Sequence, residues 1–232
     1  MQRFYEIDWV RGVAIVAMVV FHAGFDMNFF TNFSIDVDHG VWRFMALFVQ
    51  IIFVGTTGIT LAISCAGSRS TAVISRLKHA AFVFGWGIVI TLVTWVLFRE
   101  QAVWFGILHF LGVSMVLALP FVKFGEWNAL LGLGVFGLAW VFRGTVIDSL
   151  LGIPLGFKDD ALQSLDYFPL FPWFGLFLLG VAVGSVLVKK PWHFLNGRGF
   201  FVWMGQHSLI IYLVHQPVLV GLIWLAGEMV RS

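Results

Sequence analysis

Asp8, Arg11, His22 and Asp26 stand at helical spacing near the start of the chain. At about 100° per residue they fall within a sector of about 60° on one helix face. Arg11 and His22 would be separated by roughly 16 Å along the axis. These residue types suit a short relay. An arginine pairs with phosphate or carboxylate. A histidine takes or gives a proton near neutral pH. An aspartate one turn further orients the imidazole or stabilises its cation. The same stripe also fits a quieter arrangement, in which Arg11 pairs with Asp8 while His22 and Asp26 bond each other as a buried knot.

A second group lies near the other end of the chain: Gln206, His207, Ser208, Tyr212, His215, Gln216 and Pro217. Ser208, Tyr212 and His215 share a helix face, and Pro217 interrupts the backbone ladder. The bland reading of this group is interhelical hydrogen bonding around a kink. His109 reads as a binding residue or as a satisfied core histidine. His39, in the run Asp36-Val37-Asp38-His39-Gly40, sits in a loop within reach of a substrate outside. The run Gly55-Thr56-Thr57-Gly58 and the pair Gly180/Gly184 let helices approach closely. The histidines show no metal-ligand spacing and the chain has no phosphate-binding glycine fingerprint, so no metal is expected.

The composition says what must hold these residues. Of 232 residues, 60% are apolar and only 11% are charged, and the mean hydropathy is +0.94. A soluble domain carries about one quarter charged residues, and one of this size cannot hide so much apolar surface. That excludes an ordinary cytosolic enzyme and a disordered chain. Lys+Arg 14 against Asp+Glu 12 leaves no basic patch for nucleic acid. Cys65 is the sole cysteine, so it has no internal disulfide partner and reads as a packing residue.

A bilayer core needs about 20 apolar residues as a helix. Seven segments meet or nearly meet that length: 9–30, 41–65, 79–98, 103–122, 127–147, 168–188 and 205–227. The expected fold is therefore an all-α, polytopic transmembrane bundle of about seven spans, one domain over residues 1–232. The first segment is too polar for a cleaved signal peptide. Arg3, Arg69, Arg76, Lys78, Lys123, Lys189, Lys190 and Arg198 fall on one side, which places the N-terminus in the cytoplasm. Asp148, Asp159, Asp160 and Asp166 fall on the other, in the outer loop 148–170.

Several separated motifs resemble one family. Glu6-Ile7-Asp8-Trp9-Val10-Arg11-Gly12-Val13-Ala14-Ile15, with Met18 and His22, is similar to the first-helix signature of membrane-integral acyltransferases. Gly106-Ile107-Leu108-His109-Phe110-Leu111-Gly112 resembles their middle motif, and Tyr167-Phe168-Pro169-Leu170-Phe171-Pro172-Trp173-Phe174-Gly175 the start of a late helix. Gly205-Gln206-His207-Ser208-Leu209 through His215-Gln216-Pro217 resembles the C-terminal motif. The best match is the catalytic-domain family of heparan-alpha-glucosaminide N-acetyltransferase, in its short prokaryotic form. The related acyltransferase-3 family shares an arginine, ten residues and a histidine, which Arg11 and His22 keep.

The resemblance implies transfer of an acetyl or other acyl group from cytoplasmic acetyl-CoA, through the bundle, to an amine or hydroxyl of a glycan-like or amino-sugar-like acceptor outside. It implies that Arg11 engages the donor, together with Asp8, His109 and His215. The chemistry falls to His22, with Asp26, or to His39. The lysosomal enzymes have an asparagine where His22 stands and place their catalytic histidine in the following loop, as His39 is placed. They also carry a large luminal domain that this chain lacks, so activity on heparan sulfate does not carry over. The expected setting is the plasma (inner) membrane, multi-pass, with monomer and homo-oligomer both open. Two other classes compete. One is a proton-coupled small-solute transporter using His22, Asp26 and His215, although no inverted repeat is visible. The other is a non-catalytic scaffold, which has little need for a one-faced polar stripe.

Overall fold

A computed structural model describes residues 3–31, 36, 37, 39–66, 71–146, 152–157, 164–195 and 197–231. Asp38, Arg69, Asp148, Lys158, Asp159 and Asp160 lie outside them. The helices run α1 (Tyr5–Phe30), α2 (Gly40–Cys65), α3 (Thr71–Phe98), α4 (Ile107–Ala118), α5 (Asn128–Val141), α6 (Gly152–Leu155), α7 (Leu170–Lys189), α8 (Phe200–Gln206) and α9 (Ser208–Arg231). Among the described residues there is no strand beyond an isolated bridge between Phe105 and Tyr167.

Among the described residues, six helices are long and apolar enough to cross a membrane: Tyr5–Phe30, Gly40–Cys65, Val73–Gln101, Val122–Val141, Leu170–Lys189 and Ser208–Ala226. They coincide with six of the seven expected segments and make this a multi-pass integral membrane protein. Large apolar side chains such as Leu92, Val96 and Trp140 are exposed along them, as lipid contact demands. The remaining segment, 103–122, differs. Its helix α4 has 12 residues, about 18 Å of rise against a hydrocarbon core of about 30 Å. Competing hydrogen bonds hold its first residues out of the helix. The Val103 N–H donates to Thr94 Oγ1 at 3.0 Å, and the Phe105 carbonyl accepts from Phe168 N–H at 2.8 Å. At the other end the chain turns at Pro120, which has no N–H to continue the ladder.

The chain divides into two compact units, residues 1–56 with 192–232, and residues 57–191. In the first, α1 packs against α8 and α9. The α1/α8 crossing is backbone on backbone. A Cβ on Gly12 would collide with the Phe201 carbonyl, and one on Gly205 with the Asp8 carbonyl. Beyond it, Ile15, Met18 and Val49 form a core with Met204, Ile211 and Tyr212 around them. The Glu6 carboxylate accepts the N–H groups of Phe194 and Leu195 at 2.6 and 2.9 Å. That fixes the segment leading into α8 against the start of α1.

In the second unit α3 packs on α4, and α5 on α7, around the fully buried Phe110, Phe177 and Leu178. Gly132 and Gly175 face each other's carbonyls and let α5 and α7 close up. A strap at 164–168 ties this unit's loops together. Leu165 N–H donates to Gln101 O at 3.0 Å, and Asp166 Oδ2 accepts the Ile107 N–H at 2.9 Å. Burial pushes the Asp166 carboxyl up to about 6, against the opposing pull of that N–H. The folded protein thus holds this proton more tightly than the unfolded chain does. Its stability should be highest below about pH 4 and decline as pH rises through about 6. Asp166→Asn keeps an acceptor oxygen but has no proton to lose, so its melting temperature in detergent should fall less than wild type's between pH 5 and 7.

Candidate active site

Helix α1 carries its polar residues where the stripe placed them, but their partners differ from the simple knot. Asp8 is buried and accepts from Arg3 Nε at 2.6 Å and Nη2 at 3.2 Å. The Arg11 guanidinium donates from Nε to Thr56 Oγ1 on α2 at 2.9 Å. The Thr56 hydroxyl in turn donates to Ile52 O at 2.6 Å, so Thr56 presents its oxygen to the arginine in a fixed orientation. Sequence reasoning gave Thr56 a part in close helix approach and interhelical hydrogen bonding, but not Arg11 as its partner.

About three to four turns further along, α1 meets α9. The rings of His22 and His215 lie 4.9 Å apart between centroids, tilted by 56°. Asp26, 1% exposed, accepts a hydrogen bond at Oδ1 from Gln216 Nε2 at 2.7 Å. The carboxylate is therefore held by the amide of Gln216. No hydrogen bond joins it to His22 among the described residues. Gln216 had only its place beside His215 to recommend it, because sequence spacing on one helix says nothing about which residue of a distant helix it meets.

The tautomer of His215 follows from its own helix. His215 Nδ1 lies 2.6 Å from the Tyr212 carbonyl oxygen. A carbonyl only accepts, so in the neutral ring Nδ1 carries the hydrogen and Nε2 the lone pair. That Nε2 is buried without a hydrogen-bond partner, and so are His22 Nδ1, Asp26 Oδ2 and Gln216 Oε1. Buried polar atoms are normally bonded. Here four unbonded ones fall on two residue pairs that join α1 to α9, His22 with His215 and Asp26 with Gln216. Pro217 sits within α9 without ending it.

The other candidates fall elsewhere. His39 is an exposed side chain, 82% accessible, and pairs with Asp36 at 3.0 Å; no contact joins it to His22 or His215 among the described residues. His109 belongs to the second unit and both its nitrogens are engaged. Nδ1 accepts the Gly106 N–H at 3.3 Å, capping α4. Nε2 lies 3.4 Å from Thr91 Oγ1, whose own hydroxyl donates to Val103 O. This is the arrangement of a satisfied core histidine. His207 stands at the break between α8 and α9, with Nδ1 at 2.8 Å from Trp203 O.

An all-helical, multi-pass membrane protein with a buried imidazole pair between its first and last long helices is the class these features define. The catalytic-domain model of heparan-alpha-glucosaminide N-acetyltransferase matches residues 3–217, and the chain belongs to that family. Neither the curated proteins nor the solved structures gave a match. Family membership points to a membrane acetyltransferase with acetyl-CoA as its donor.

Proposed function

We propose that the whole chain is one acyltransferase domain that moves an acetyl group from cytoplasmic acetyl-CoA to an amine or hydroxyl of a glycan-like acceptor on the outer side of the plasma membrane. The N-terminus lies in the cytoplasm. Arg11, steadied by Thr56, engages a phosphate of the donor. The roughly 16 Å of helix between Arg11 and His22 suits an extended pantetheine arm. His22 meets the thioester, and Asp26, held by Gln216, balances charge that develops on the imidazole. Asp8 serves indirectly, by drawing Arg3 to the start of the same helix.

The observation that carries this reading is the set of unbonded buried atoms around the His22/His215 pair. Those of His22 and Asp26 lie on the face of α1 that begins with Arg11.

The test is CoA release from acetyl-CoA by the purified protein in detergent. Arg11→Ala should raise the KM for acetyl-CoA about tenfold or more, with a smaller change in kcat, because the lost contact is made in the ground state as well as the transition state. A wild-type protein that neither binds acetyl-CoA nor releases CoA would refute the proposal.

A further inference from the structure

His215 has a geometry that the transfer reading leaves unused. Its Nδ1–H is spent on the Tyr212 carbonyl, so Nε2 is a lone-pair acceptor in a buried place with no partner. Its ring lies 4.9 Å from the ring of His22. The Asp26–Gln216 bond ties the same two helices, with Asp26 one turn from His22 and Gln216 next to His215 in sequence. Two rings in contact, one with its tautomer fixed by its own backbone, are suited to separate tasks.

With His22 as the acyl carrier that the family resemblance implies, we propose that His215 is the base that delivers the acetyl group to the acceptor. This rests on the acyltransferase reading and divides its chemistry between two residues. In the first half-reaction a ring nitrogen of His22 attacks the thioester carbonyl. The C–N bond forms as the C–S bond breaks, and the thiolate leaves as CoA–SH with the proton that His22 gives up. In the second, the acceptor nitrogen or oxygen bonds to the acetyl carbon while His215 Nε2 takes its proton. The C–N bond to His22 breaks, and His215 returns that proton to the departing imidazole nitrogen. The protein is regenerated, and the net change is acceptor–H plus acetyl-CoA to acetyl-acceptor plus CoA–SH.

The discriminating variant is His215→Asn. Its side-chain amide can still donate to the Tyr212 carbonyl, but it has no basic nitrogen where Nε2 stood. His215→Gln, which removes the base while filling more of the ring's length, guards against a folding artefact. The probes are acetyl-CoA labelled in the acetyl group and glucosamine as acceptor, with label loss to glucosamine and to water both followed. Wild type should show a burst of CoA release and transient label on the protein. His215→Asn should keep the burst and hold the label, losing it about 10²–10⁴-fold more slowly, with partial rescue by added imidazole. His22→Ala should take no label. The assignment is overturned if both His215 variants lose label within threefold of the wild-type rate. It is also overturned if His215→Asn loses the burst while its melting temperature and elution match wild type. CoA release by wild type with no label on the protein would overturn it too, while leaving the acyltransferase reading intact. Absence of both CoA release and label in wild type would overturn that reading as well.

Discussion

His22→Ala should lower acetyl-CoA turnover by about 10²–10⁴-fold, the usual loss when a group that exchanges protons or bonds with the substrate is removed. His39→Ala should change it by less than threefold. The contrast matters because both histidines have a claim from the family resemblance. Burial and neighbours separate them. His39 is a solvated side chain paired with Asp36 on an exposed segment. His22 has a buried, unbonded nitrogen, a second imidazole against its ring and a buried carboxylate one turn away. A group prepared for chemistry in a low-dielectric setting should keep such atoms oriented in advance. Steady-state CoA release for both variants, normalised to correctly folded protein, decides the matter. If His39→Ala proves the inactive one, the chemistry belongs to the loop, and the imidazole pair is a packing device.

The second large effect concerns stability. Gly205→Val should abolish monodisperse protein in detergent, and Gly12→Ala should lower the melting temperature sharply. At each position the first atom of a side chain would meet a carbonyl of the opposing helix, Asp8 O or Phe201 O. Side chains can move aside, but here α1 and α8 themselves must separate. Overpacking of this kind costs about 1–3 kcal/mol and sometimes more, and close helix approach through small residues is a main source of association in lipid. Gly55→Ala in α2 is the control, because nothing lies within 4 Å of the added atom. There a helical alanine should be neutral or stabilising by about 0.4–1 kcal/mol. Size-exclusion profiles and thermal melts of the three variants test the crossing. Equal behaviour would show that the two helices are not held at that distance.

Much of the fold was legible because lipid imposes a simple rule: about 20 apolar residues with the backbone bonded internally. The bounds of α1, α2 and α7 follow the expected segments within a few residues. The rule misjudged 103–122 because hydropathy counts apolar residues and cannot see that Thr94 and Phe168 compete for its backbone. The site was half legible. Spacing on α1 put Arg11, His22 and Asp26 on one edge; in the structure Arg11 meets α2, and His22 and Asp26 meet α9. It did not give Asp8 the two bonds it accepts from Arg3, which precedes the helix. Nor could it pair Asp26 with Gln216, 190 residues on. That pairing is decided by how α1 and α9 pack, which no single-helix pattern encodes.

The hydrogen bonds from Phe194 and Leu195 to Glu6, and from Gln216 to Asp26, set a schedule for biogenesis. The acidic groups of α1 leave the ribosome 188 and 190 residues ahead of the groups that will satisfy them. At about 5–20 residues per second, α1 waits roughly 10–40 s for these bonds. Until then Glu6 and Asp26 lack these partners, and an unpaired charge in hydrocarbon costs several kcal/mol. The first helix to be made is thus among the last to become fully compatible with lipid. During synthesis its polar edge must stay at the water interface or against the insertion machinery, and a nascent chain stalled before Gln216 should be recognised as unfinished.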